Sequence, residues 1–284
     1  MNKILLLTDF SELSSYARQL ADQVAFHTRS ELHVLKVVDV PSEVVLTRSG
    51  DLEEGMADDV LLLTKELDSS KHTMEEWCGD LKCKARSNVV FGRFLNTVQA
   101  YVQENSIDLI IMGTHGVSGL KEFISGSITE QVVLQSEVPV LSLKCNREGL
   151  NFSNFLITGD FDTGQEVDLT TLKALQKVFQ STMHLLWVNT SSHYTTTSDA
   201  MERMRSFAEH NGMENTKFHV YNDTSKESGI LNFSNNFDAS HAMEIDIIAI
   251  EKKNKSKLGY ALSGCEATSL VNHIFRPLIT YSKK

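Results

Sequence analysis

The feature that most restricts what this chain can fold into is a repetition. The opening run Leu5-Leu-Leu-Thr-Asp9-Phe10 returns as Phe155-Leu-Ile-Thr-Gly-Asp160-Phe161, and Leu32 to Val38 returns as Met183-His-Leu-Leu-Trp-Val-Asn189. Ile107-Asp-Leu-Ile-Ile-Met112 returns as Ile245-Asp-Ile-Ile-Ala-Ile250, and Val138-Pro139-Val-Leu-Ser-Leu143 as Arg276-Pro277-Leu-Ile-Thr-Tyr281. Four runs recurring in one order mark two copies of a single unit. The reading is a pair of domains, 1–146 and 152–284, joined near Cys145 to Asn151; a chain of 284 residues can build a core in each.

Within the first copy, strand and helix patterns alternate. Lys3 to Thr8 is a continuous apolar run, suited to a central strand buried on both faces. Leu13, Tyr16, Ala17, Leu20, Ala21 and Val24 then recur with helical spacing. Leu32 to Val38 reads as a second strand. Helical periodicity follows from about Asp51 to Trp77, carried by Val60, Leu61, Leu63, Thr64 and Leu67. Arg86 to Phe91, Leu109 to Met112 and Val138 to Leu143 complete the strands, with a helix through Leu95, Val98 and Val102 between the first two. Such alternation predicts a doubly wound parallel sheet, whose ligands sit beyond the C-terminal strand ends where the strand order reverses. Asp9, Val37 and Gly113 all fall at such ends.

The segment Gly113-Thr-His-Gly116-Val-Ser-Gly-Leu-Lys-Glu-Phe-Ile-Ser-Gly126-Ser127 carries the chemistry. Glycines after a strand let main-chain N–H groups approach a phosphate, and the helix suggested by Ile128 to Leu134 offers unpaired donors at its start. The same residues also fit a plain structural reading. Ser127 with Glu130 forms a capping box, and the glycines suit an ordinary turn.

The spacing Gly113-x2-Gly116-x9-Gly126-Ser127 resembles the ATP-binding motif of the universal stress protein (UspA) family. Supporting landmarks are the start Lys3-Ile-Leu-Leu-Leu-Thr-Asp9-Phe-Ser11, the strand end Val37-Val-Asp39, the run Ile107 to Gly116, and Val138-Pro-Val-Leu141. The resemblance implies two tandem α/β domains of Rossmann-like, adenine-nucleotide alpha-hydrolase-like type, forming an internal pseudo-dimer. It implies ATP as ligand. Asp9 would bond the adenosine portion, main chain at Val37 would contact adenine, and Met112 would lie close to it. Gly113, Gly116, Gly126 and Ser127 would hold the phosphates, with Mg²⁺ between their oxygens and Thr8 as a further candidate. It also makes Val140 to Leu143 and Leu278 to Tyr281 edge strands that pair. Exposed apolar edges invite uncontrolled association, so each covering the other is the expected remedy; a homodimer would add a further level of assembly.

The second copy departs from the motif. Placing Gly264-Cys265 over Gly126-Ser127 sets Glu251 at the position of Gly113 and Asn254 at that of Gly116. A glutamate adds negative charge beside any phosphate, so nucleotide binding is expected in the first copy alone. Asp160 survives and reads as a helix cap, and Lys252, Lys253, Lys255 and Lys257 read as a solvated loop.

A formal net charge of −10 opposes broad nucleic-acid binding, which needs a concentrated basic face. Neither a signal pattern nor a spanning apolar stretch is found, so the expectation is a cytoplasmic chain with no membrane contact. Cys78, Cys83, Cys145 and Cys265 form no CxxC pair and read as thiols without a metal. No Walker A or Gly-x-Gly-x-x-Gly pattern occurs, and His115 has no orienting partner, so no catalytic residue is assigned. The preferred function is a nucleotide-binding stress or signalling module. The rivals are a slow ATPase or phosphotransferase and a nucleotide-free interaction scaffold. The sequence does not name a protein partner.

Overall fold

The computed structural model describes residues 1–41, 45–46, 52–54, 57–114, 128–144, 151–162, 166–241, 244–252 and 276–282. Their contacts divide into two compact units, Met1–Gly113 and Thr114–Lys284.

In the first unit β1 (Lys3–Leu7) leads into α1 (Glu12–Thr28) and β2 (Glu31–Asp39). A short antiparallel pair follows, β3 (Val45–Leu46) with β4 (Leu52–Glu54). Then come α2 (Ala57–Cys78), β5 (Ala85–Gly92), α3 (Phe94–Asn105) and β6 (Leu109–Gly113). The sheet runs β5-β2-β1-β6, all parallel, with Leu7 opposite both Leu35 and Met112. Ile4, Leu5 and Leu6 are fully buried, as a central strand covered on both faces requires.

α1 buries Ala17, Leu20, Ala21 and Val24 of the predicted stripe, with Ser14 and Ala25 beside them, while Leu13 and Tyr16 are only half-buried. Its start is capped by Ser11, whose hydroxyl accepts from Ser14 N at 3.3 Å. Its end is turned by Arg29 in the left-handed region, φ 56°.

Two expectations for the next stretch are corrected. The helix predicted from about Asp51 begins only at Ala57, because Leu52–Glu54 pairs as a strand and Gly55 in the sequence interrupts the helical pattern. Leu61 and Thr64 are not on its inner face; Leu61 is 53% exposed. The true stripe runs Val60, Leu63, Leu67, Ser70, Met74, a period near 3.5 that reaches full burial at Ser70 and Met74.

The second unit holds α4 (Ile128–Gln135), β7 (Val140–Leu143), β8 (Asn154–Thr158), α5 (Thr170–Phe179), β9 (Thr182–Asn189) and α6 (Thr197–His210). It continues with β10 (Thr216–Asn222), α7 (Lys226–His241), β11 (Ile247–Lys252) and β12 (Leu278–Ser282). The order is β10-β9-β8-β11-β12-β7, parallel but for β7, which runs antiparallel to β12 with Ser142 opposite Leu278. These are the two segments that the family resemblance implies as pairing edges. Both begin just after a proline, Pro139 or Pro277, whose missing N–H suits the residue before a strand better than the ladder itself.

The repetition is visible in the registers. In each unit the path moves outward from a central strand through a second and third, then crosses to the central strand's other side: β1, β2, β5, then β6; β8, β9, β10, then β11. Leu5 faces His33 as Leu156 faces His184, so both second strands carry a buried histidine at one register. His33 Nδ1 meets Tyr101 Oη at 3.0 Å, and His184 Nδ1 meets His219 Nε2 at 3.0 Å.

Gly113 ends β6 where α1 comes down on it. A Cβ there would lie 2.5 Å from the Leu13 carbonyl oxygen, a contact that only a backbone shift could relieve. Gly113→Ala is therefore expected to cost about 1–3 kcal/mol of stability, read as a lower urea midpoint for the first unit.

Candidate functional site

The strand order of the first unit reverses between β1 and β6, and Thr8, Asp9, Met112 and Gly113 lie at that point. Thr8 N donates to Leu35 O at 3.1 Å, so Val37 stands two residues further along β2 on the other flank of β1. Thr8, Val37 and Met112 are 7%, 5% and 5% exposed. Their side chains belong to the core, which leaves main-chain atoms as what Val37 can offer a ligand. Gly116, Gly126, Ser127 and His115 lie outside the described residues, as do Asn254, Gly264, Cys265, Lys253, Lys255 and Lys257.

Asp9 is exposed and is fixed by a short run of local bonds. Thr8 Oγ1 accepts from Phe10 N at 3.0 Å, Asp9 Oδ1 from Ser11 N at 3.0 Å, and Ser11 Oγ from Ser14 N at 3.3 Å. Each is a side-chain-closed turn of the kind Ser, Thr and Asp favour. Asp9 Oδ1 also accepts from Ser14 Oγ at 2.5 Å, so one carboxylate oxygen is held from two sides. Phe10 sits between these turns with φ 65°, a left-handed conformation that costs a bulky residue about 1 kcal/mol or more. Desolvation works to raise the Asp9 carboxyl, but the hydrogen bonds from Ser11 and Ser14 outweigh it and hold the group below the ordinary aspartate value.

The second unit shows what this arrangement becomes when its parts change. Glu251 pairs across from Tyr281 just past Ile250, where β6 has Gly113 past Met112. The helix that follows the turn also starts later in this unit. Glu12 follows Phe10 by two positions, whereas Thr170 follows Phe161 by nine. Both helices end at one register, with Arg29 and Gln180 each left-handed.

Asp160 is not a helix cap. Its Oδ1 accepts from Lys226 Nζ at 2.5 Å and has His193 Nε2 3.6 Å away. His193 stacks on Trp187, ring centres 5.3 Å apart. Tyr281 donates to Thr158 O at 3.0 Å; burial first, then the negative Glu251 and Asp160, push its phenol well above the usual value. Asp160, Trp187, Lys226 and Glu251 line a small cavity of about 30 Å³. Lys252, expected in a solvated loop, is 9% exposed and donates to Ser136 O at 2.5 Å.

Sequence reasoning missed Lys226, His193 and Trp187 as members of this second site. They come from the start of α7, a turn after β9, and β9 itself, segments that carry no motif. Among the described residues no helix is long and apolar enough to cross a membrane.

Comparison with known proteins adds family context. A family model described as the universal stress protein family matches residues 1–144, half of the chain. Two universal stress proteins of Methanocaldococcus jannaschii are each 31% identical, over 147 and 154 residues. Each match covers 50% of this chain, with 81% of the one relative and 94% of the other. The crystal structure of a universal stress protein from Archaeoglobus fulgidus superposes with a TM-score of 0.72 at 19% identity, covering 98% of this chain and 95% of that one. At that identity the likeness concerns the fold.

The lowered Asp9 carboxyl has a consequence in acid. A folded-state value below the unfolded one contributes stability above the unfolded pKa, about 3.9, and loses it as pH falls through the folded value. Asp9→Asn is expected to flatten the acid limb of the first unit's unfolding curve. An unchanged limb would show that the hydrogen bonds from Ser11 and Ser14 contribute nothing to stability.

Proposed function

The chain belongs to the universal stress protein family, and from that premise we propose that its first domain, 1–146, binds ATP as a stress or signalling module while its second, 152–284, has lost that capacity. The observation that carries the reading is Asp9: an exposed carboxylate at the strand-order reversal, held in place through Oδ1 by Ser11 and Ser14. A carboxylate there suits a ribose hydroxyl or an adenine amino group, both hydrogen-bond donors. Main chain at Val37 and Met112 supplies the neighbouring wall for the base.

Phosphates fall to Gly113, Gly116, Gly126 and Ser127 by the motif resemblance, and Thr8 adds a hydroxyl at the same strand end. Gly113 has a second reason for being glycine, the approach of Leu13, so its residue type alone does not argue for a ligand. Mg²⁺, if bound, would be held mainly by phosphate oxygens, as is usual for this ion. A cytoplasmic setting supplies both. With a net charge of −10 the partner surface is not nucleic acid.

Calorimetric titration of Mg²⁺–ATP into the intact protein tests this. One site per chain is expected, with Gly116→Val and Asp9→Ala each weakening affinity at least tenfold and the recovered nucleotide still ATP. Gly116→Val is preferred to any change at Gly113, whose loss acts on folding. Two equal sites, or no heat with the native chain, would overturn the proposal.

A further inference from the structure

The two halves share one strained device. The residue after each strand-end aspartate is a phenylalanine in the left-handed region, Phe10 at φ 65° and Phe161 at φ 46°. An aromatic ring in the last turn of the following long helix pins each one edge-on. Trp77 of α2 meets Phe10 at 5.8 Å and 76°, and Phe207 of α6 meets Phe161 at 5.3 Å and 72°. Trp77 is itself covered by the Arg18 guanidinium, 5.4 Å from the ring centre, and Arg18 is ion-paired with Asp80.

Resting on the nucleotide reading above, we infer that the Phe10–Trp77 contact is a positioning element that sets the orientation of Asp9 for its ligand. Phe10 is the middle residue of the turn that Asp9 Oδ1 closes onto Ser11 N. If the ring holds the backbone at that φ, the bonds that fix the carboxylate through Oδ1 follow. Released, Phe10 relaxes toward negative φ, the turn opens, and Asp9 swings away from Ser11 and Ser14. Edge-to-face aromatic pairs offset part of the cost of such a strained dihedral, and the turn's hydrogen bonds add to them. The alternative is that the turn needs only a left-handed residue, in which case glycine at position 10 would serve as well or better.

The full chain carrying Trp77→Ala, Trp77→Phe or Phe10→Gly separates these. Three quantities are read: the Asp9 carboxyl titration by NMR, the urea midpoint, and ATP affinity with Mg²⁺. Trp77→Ala and Phe10→Gly are expected to move the Asp9 titration up toward the ordinary aspartate value and to weaken ATP at least fivefold. Trp77→Phe, which keeps a ring edge, is expected to hold both near the native values. The inference is overturned if Phe10→Gly leaves Asp9 titrating as in the native chain, or if Trp77→Phe loses as much as Trp77→Ala. Should Trp77→Ala not fold, Trp77→Leu keeps apolar bulk without a ring edge and carries the same readouts. If the native protein takes no ATP, the nucleotide reading fails, while the Asp9 titration still decides this inference.

Discussion

The strand ends of the first unit depend on how closely the first turn of α1 descends onto the end of β6. With only a hydrogen at Gly113, the Leu13 carbonyl sits where a side chain would otherwise begin. That approach leaves four residues, Thr8 to Ser11, to leave a buried strand and enter a capped helix. So tight a reversal cannot be made with ordinary backbone angles at every position. The chain meets it with Phe10 in the left-handed region and with successive side-chain oxygens closing the turns. The carboxylate of Asp9 is one of those closing groups, so the packing demand and the fixing of this carboxylate have one cause.

The second unit bears this out by losing the first term. Its helix starts seven residues later relative to the turn, as nine positions between Phe161 and Thr170 against two between Phe10 and Glu12 show. The end of β11 carries a side chain, Glu251, where β6 has Gly113. Two carboxylates, Asp160 and Glu251, then sit near a buried phenol, and burying such charge is costly unless it is compensated. Lys226 supplies an ammonium to Asp160, and the Trp187–His193 stack fills much of the remaining space. A helix start about two turns later, an acid at the end of β11 and a cation beside Asp160 occur together in this unit.

Much of the fold was legible because parallel strands buried on both faces leave unmistakable apolar runs, and the duplication let each run check its twin. Leu109 to Met112 and Ile245 to Ile250 are such a pair. The start of α2 was not, since a periodic stripe does not say where pairing with β3 takes over, and a few matches at helical spacing admitted Leu61 to the wrong face. Asp9 and Gly113 were readable as strand-end residues, and the structure has them there. Phe10 was not, because nothing in a lone phenylalanine announces a positive φ. Lys226 was hidden for a different reason. Its partner Asp160 is 66 positions away, and only the sheet order brings the start of α7 to the end of β8.

The persistence of the left-handed phenylalanine in both units, where one keeps its helix start and the other does not, bears on its origin. If Phe10 were strained only because α1 descends on β6, Phe161 would be free to relax, since the corresponding helix begins nine residues on. It stays at φ 46° with its ring against Phe207. The tight helix approach is therefore not required for the conformation, and an aromatic ring against the phenylalanine is what the two units have in common. In the first unit that ring contact and the helix approach occur together beside Asp9, whereas in the second Asp160 meets Lys226.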